Sequence, residues 1–167
     1  MDTFSKIESK IQPVDTLLAT LKTWRTAGDR VVFTNGCFDL LHYGHLHYLA
    51  QARDLGQRLV IGLNSGASVR RLKGPRRPIN DEITRTHQLA ALEFVDAVVV
   101  FDEDTPLEII QQITPDILVK GGDWQPAQIV GADWVLEKGG KVMSLPFVAG
   151  YSTTNIEKKI IENALNP

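Results

Sequence analysis

Cysteine occurs once in the 167 residues, at Cys37. A single cysteine excludes an intrachain disulfide, and with it the stapled scaffolds of small secreted proteins; a reducing, cytoplasmic location is expected. No apolar run approaches the ~20 residues that span a bilayer. The start, Met1-Asp2-Thr3-Phe4-Ser5-Lys6, is polar and no apolar signal core follows it. Excess charge is also lacking: 18 Lys and Arg stand against 20 Asp and Glu, a net charge of −2. That balance gives no basic face of the kind nucleic acid demands, so neither nucleic acid nor membrane is an expected partner. Repeats, low-complexity tracts and long linkers are absent as well. What is present is 43% hydrophobic and 23% charged residues, enough for one globular domain with a real core.

Taken in order, residues 1–28 read as a helical extension: Ile11, Val14, Leu17, Leu18 and Leu21 recur at helical spacing, interrupted early by Pro13. The rest, 29–167, alternates strand and helix. Strands are predicted over 30–34, 58–63, 95–101, 116–120 and 141–145. The segment Val69-Arg70-Arg71-Leu72-Lys73-Gly74-Pro75-Arg76-Arg77-Pro78 reads as a basic loop, with Asn80 capping the helix behind it. A last helix begins near Ser152-Thr153-Thr154 and carries Ile156, Ile160, Ile161 and Leu165 on one side. Such alternation predicts an α/β, Rossmann-like, doubly wound five-stranded parallel sheet, order 3-2-1-4-5, with helices on both faces. The site would lie between strands 1 and 4, where the winding direction switches.

The stretch from Thr34 to His45 sits at that point. An apolar strand, Val31-Val32-Phe33, runs into Asn35-Gly36-Cys37-Phe38-Asp39, then into a helix opened by His42-Tyr43-Gly44-His45. Free N–H groups and the helix dipole make such a start an anion site. Gly36 leaves room for a phosphate beside the backbone. His42 and His45 can donate to phosphate oxygens as charge accumulates. Two surface or helix-capping histidines are the plainer reading.

The run Gly36-x-Phe38-Asp39-x-x-His42-x-Gly44-His45 resembles the H-x-G-H motif of the nucleotidyltransferase superfamily. A closer resemblance, from about Arg30 to Ile161, is to the heptose 1-phosphate adenylyltransferases of ADP-heptose synthesis. It rests on Asn64-Ser65, Arg71-Leu72-Lys73-Gly74, Arg77-Pro78-Ile79-Asn80, Asp104-Thr105-Pro106, Val119-Lys120-Gly121-Gly122-Asp123 and Ser152-Thr153-Thr154-Asn155-Ile156. The resemblance implies transfer of AMP from ATP to the sugar phosphate, with Mg²⁺ bridging ATP oxygens. His42, His45 and Lys73 would be catalytic. Asn35, Gly36, Cys37, Phe38, Gly44, Lys120, Gly121, Asp123, Ser152, Thr153 and Thr154 would hold the nucleotide. Lys73, Arg77 and Arg85 would meet phosphate, an ordinary ion pair being as good a reading of Arg85. Asp39 either reaches Mg²⁺ through water or bonds nearby backbone, the second being preferred. Trp124 either borders the pocket or packs. Cys37, where relatives carry a small aliphatic residue, is expected to pack and not to react. A separate sugar kinase and a homo-oligomer are implied too. The alternatives are a cytidylyltransferase acting on a small phosphorylated alcohol such as glycerol 3-phosphate, a regulator that binds nucleotide without turnover, and a structural subunit.

Overall fold

The computed structural model describes residues 1–165, so the last two residues of the expected span 29–167 lie outside the described residues. Five strands, β1 (Val31–Gly36), β2 (Arg58–Asn64), β3 (Ala97–Phe101), β4 (Ile117–Gly121) and β5 (Lys141–Leu145), form one sheet in the order β3-β2-β1-β4-β5. All pairings are parallel, with Phe33 level with Val60 on one side and Leu118 on the other. This is the expected architecture.

The central strands are apolar through their middles because both faces are covered, whereas the edge strand β5, Lys141-Val142-Met143-Ser144-Leu145, is only partly buried. Val31 and Phe33 point into a core with Leu17 and Leu21 of α2 (Val14–Thr26), Ile109, Ile110 and Ile113 of α6 (Leu107–Ile113), and Val135 of α7 (Ala132–Glu137). Val32 points the other way, onto Tyr48, Leu49 and Ala52 of α3 (Tyr43–Asp54) and Leu89 and Ala90 of α5 (Glu82–Ala90).

The first 28 residues carry two helices, α1 (Thr3–Glu8) and α2, joined by a linker that ends at Pro13. They are built into the domain. Leu17 and Leu21 are fully buried. The linker between the helices lies along the edge of β3: Gln12 N–H donates to Val98 O at 2.9 Å, and Val98 N–H to Lys10 O at 2.8 Å. That pairing covers a sheet edge that would otherwise stay open.

Three local expectations change. The basic segment is a helix up to Lys73: α4 (Gly66–Lys73) is capped by Ser65, whose Oγ accepts Ser68 N–H at 2.9 Å, and is anchored by buried Val69. The cap of α5 is Asp81, not Asn80; Asp81 Oδ1 accepts Thr84 N–H at 2.6 Å, while the Asn80 amide is engaged elsewhere. The final helix α8 (Thr153–Leu165) starts where expected but buries none of its residues, and Ile160, Ile161 and Leu165 stay largely exposed.

Replacing Leu17 with Ala should lower unfolding free energy by about 2–5 kcal/mol, the range for emptying a buried leucine site. Denaturant unfolding checks it. A loss under about 1 kcal/mol would mean that α2 is a dispensable appendage.

Candidate active site

The site lies at the C-terminal edge of the sheet, where β1 turns into α3. Phe38 takes a left-handed backbone conformation, φ 43°, which is rare for a bulky residue and turns the chain sharply. Its ring folds back over Gly36, where an added Cβ would meet Phe38 Cε2 at 3.1 Å. A side chain at Gly36 would press on that ring, so the packing of the turn favours glycine there. Gly44 has a similar local reason: a Cβ there would stand 3.1 Å from the His42 ring.

Those contacts bring the two histidines together. The His42 and His45 rings stack with centroids 3.7 Å apart. His42 occupies the N-cap position of α3, but its side chain makes no capping bond, which excludes the capping reading. The Nδ1 atoms of both rings are buried without a hydrogen-bond partner among the described residues. Burial lowers the His42 pKa. Burial, followed by the neighbouring charges of His42 and Lys73, lowers that of His45 to about 4. Both shifts favour the neutral rings.

A cavity of about 480 Å³ opens beside His45, while His42, stacked behind it, and Gly44 are not part of its wall. Its wall includes Asn35, Gly36, Cys37, Phe38 and Asp39 from the turn, His45 and Tyr48 from α3, Leu72 and Lys73 from α4, and Lys120 and Gly121 from β4. Thr153, in the first turn of α8, completes it with Trp124 and Phe147. A smaller annex of about 140 Å³ shares Asn35, Pro106, Lys120 and Trp124 and adds Gln128, Ile129 and Val130. The paired glycines after β4 serve this wall: a Cβ on Gly121 would lie 2.8 Å from the Phe147 ring, and one on Gly122 3.1 Å from the rings of Phe147 and Trp124.

The charges in the wall are unequal. Asp39 is paired with Arg77 at 2.8 Å and Asp104 with Arg71 at 2.8 Å, so both lining carboxylates are already matched. Lys73 and Lys120 then set the sign of the cavity. Burial lowers the Lys120 pKa, as expected for an ammonium group shielded from water. Burial also pushes the Cys37 thiol up, against the pull of Lys73, Arg85 and Lys120. An unreactive packing role for Cys37 fits that environment.

Not every expected residue reaches the cavity wall. Ser152 caps α8, its Oγ accepting Asn155 N–H at 3.1 Å, and Thr154 is exposed. Asp123 points to solvent while its neighbour Trp124 lines the cavity. Asp39 spends its carboxylate on Arg77 and on the N–H groups of Ile79 and Asn80, the preferred reading for that residue. Arg77 bonds Asp39 and Glu157, and lies outside the wall. Arg85 departs from the surface ion-pair reading and lies outside the cavity wall. It is fully buried and donates to Cys37 O at 2.9 Å and Asn64 O at 2.8 Å, bracing the ends of β1 and β2 from beneath. Tyr48, Asn64, Leu72 and Phe147 line the cavity without having been singled out as site residues. Of these, Asn64 and Leu72 lay within motifs that carry the resemblance, while Tyr48 and Phe147 had no local signal.

The switch-point cavity thus joins lysines without ion-pair partners among the described residues to a stacked H-x-G-H pair, and the comparisons identify the class as a nucleotidyltransferase. Residues 33–159 match the family described as cytidylyltransferase-like, and the chain belongs to that family. It is 56% identical over 153 residues to the bifunctional protein HldE of Geotalea uraniireducens (strain Rf4), covering 92% of this chain and 31% of that protein. Against the HldE of Syntrophotalea carbinolica the identity is 57% over 155 residues, 93% of this chain and 32% of the relative. The chain thus spans about a third of the length of the curated relatives it matches. Among solved structures, the lipopolysaccharide core biosynthesis protein from Thermoplasma volcanium GSS1 has a TM-score of 0.58 and 29% identity, with 72% of this chain and 98% of that chain covered. Among the described residues, no helix is long and apolar enough to cross a membrane.

The histidine environment predicts a pH response. Folding lowers the His45 pKa from 6.5 to about 4, so the unfolded chain binds a proton in that window that the folded chain refuses. Stability present above pH 6.5 should fall as pH drops through the window, by about 3 kcal/mol at most, and level off below it. Titration of the His45 ring by NMR should show a midpoint near 4 in the nucleotide-free protein. A midpoint near 6.5 would contradict the burial argument.

Proposed function

We propose that this chain is an adenylyltransferase that transfers AMP from ATP to a heptose 1-phosphate, giving ADP-heptose and pyrophosphate. One observation carries the polyphosphate part: both carboxylates of the cavity wall are matched, while Lys73 and Lys120 line it beside His45 and the first turn of α8. The heptose part rests on likeness to the HldE proteins and on the motifs shared with ADP-heptose adenylyltransferases. The annex beside Trp124 gives an acceptor room beyond the triphosphate.

In this reading an oxygen of the sugar 1-phosphate attacks the α-phosphorus of ATP in line. One P–O bond forms, the bond to the bridging oxygen breaks, and pyrophosphate leaves with that electron pair. The nucleophile is already an anion, so positioning and charge stabilisation do the work. His42 and His45 donate to the α-phosphoryl oxygens and the bridging oxygen, and being neutral they need lose no proton. Lys73 neutralises charge on the phosphates of donor and acceptor, and Lys120 does so on the nucleotide. The turn from Asn35 to Phe38 and the N-terminus of α8 hold the triphosphate. Among the described residues no three His, Cys, Asp or Glu side chains gather into a metal site. Mg²⁺ fits as a companion of ATP, carried by phosphates and water, and supplies charge neutralisation there.

The acceptor must come from a reaction that phosphorylates an anomeric hydroxyl, the work of a sugar kinase. A cytoplasmic location, where ATP and sugar phosphates occur, and a homo-oligomeric assembly belong to the same reading. The description of the matched family favours one second reading, a cytidylyltransferase using CTP.

Pyrophosphate release, measured with Mg²⁺ and both anomers of heptose 1-phosphate, tests the proposal. ATP should support turnover at least a hundredfold faster than CTP, with one anomer preferred. Release with CTP alone would establish the second reading. No release from folded protein that still binds ATP would remove the heptose.

A further inference from the structure

Arg77 joins two parts of the site without lining it. Asp39 is only 2% exposed, and its carboxylate accepts from Arg77 Nη1 at 2.8 Å, Ile79 N–H at 2.7 Å and Asn80 N–H at 3.0 Å. The Asn80 side-chain amide donates to the Asp39 carbonyl at 2.7 Å. This end is fixed to the phosphate turn. The other guanidinium nitrogen, Nη2, pairs with Glu157 of α8 at 2.5 Å. The two side chains are 20% and 31% exposed, shielded enough for the pair to count for more than an open surface pair.

Helix α8 needs such a fastening. No residue of it is fully buried and Ile156 is only half-buried, so apolar packing places it weakly. Its approach segment touches the body through the rings of Tyr151 and Tyr43, 5.0 Å apart. Glu157 lies one helical turn beyond Thr153, the α8 residue in the cavity wall. Fixing Glu157 therefore fixes the turn that presents Thr153 and the free N–H groups of the helix.

We propose that Arg77 and Glu157 form a clasp that sets the position of the α8 N-terminus against the phosphate turn, so that two helix N-termini, those of α3 and α8, grip the same triphosphate. Arg77 is then a positioning residue, in place of the direct phosphate contact expected from the sequence. Arginine suits the task because its planar fork reaches two carboxylates through separate nitrogens, which the single ammonium of lysine does not reproduce. Loss of Glu157 leaves Asp39 with all its donors, so the turn keeps its shape while the first turns of α8 lose their ion pair to it. The clasp rests on the nucleotide site proposed above.

Glu157→Gln is the direct test, with Arg77→Lys and the double variant beside it. Hydrogen exchange without nucleotide, Kd for Mg-ATP and Mg-CTP, and steady-state kinetics are measured on each. In Glu157→Gln, exchange in the first turn of α8 should accelerate at least tenfold. Kd and KM for the preferred nucleotide should rise about five- to tenfold, while kcat and the acceptor KM stay within twofold and Tm within about 2 °C. The double variant should bind nucleotide no more weakly than the worse single one, since both break one connection. Unchanged exchange in α8, or faster exchange with unchanged nucleotide affinity, would overturn the clasp. Wild-type protein that binds neither nucleotide would instead overturn the reading of the site, and the clasp as a nucleotide device with it.

Discussion

A buried carboxylate has to be compensated where it lies, and the shape of this site follows from how Asp39 is compensated. Out of water, its charge would be costly if left unmatched. It takes one guanidinium and two backbone N–H groups, all from residues 77–80, so the segment behind Lys73 is drawn against the phosphate turn. The same turn holds Phe38 in a left-handed conformation over Gly36, and from there the chain enters α3 with His42 and His45 stacked. Arg85 braces the turn from below through Cys37 O and Asn64 O.

This construction separates two electrostatic tasks. Structural charge is paired away: Asp39 with Arg77, and Asp104 with Arg71. Lys73 and Lys120 in the wall have no ion-pair partner among the described residues, and in the proposed reaction a polyphosphate would bring the compensating charge. The histidines carry no charge at neutral pH because burial disfavours their protonated forms. In the proposed reaction they would act as neutral donors, which interact most strongly with charge that develops during phosphoryl transfer.

Much of this was legible in the residues. The strands showed as continuous apolar runs because both faces are buried, and alternation with helices gave the strand order. The H-x-G-H turn was legible as a unit, but the reasons for its glycines were not: Gly36 accommodates Phe38 and Gly44 accommodates His42, contacts that require three-dimensional placement. The basic run misled because arginines at a helix end look like loop residues, while Ser65 and Val69, which decide the helix, lie outside its charged part. Arg85 was illegible because a lone arginine in sequence is almost always a surface residue. Tyr48 and Phe147 reach the wall from segments far apart in the chain, with no local pattern to announce them.

The most direct measurement of the central claim is a comparison of ATP affinity and turnover in His45→Ala. If His45 acts on charge that appears only in the transition state, Kd for Mg-ATP should stay within about twofold while kcat falls by roughly 10²–10³, the size of effect seen when one preorganised donor is removed. An unchanged kcat, or a Kd that rises in step with the lost activity, would contradict the account and reduce the stacked histidines to a ground-state contact.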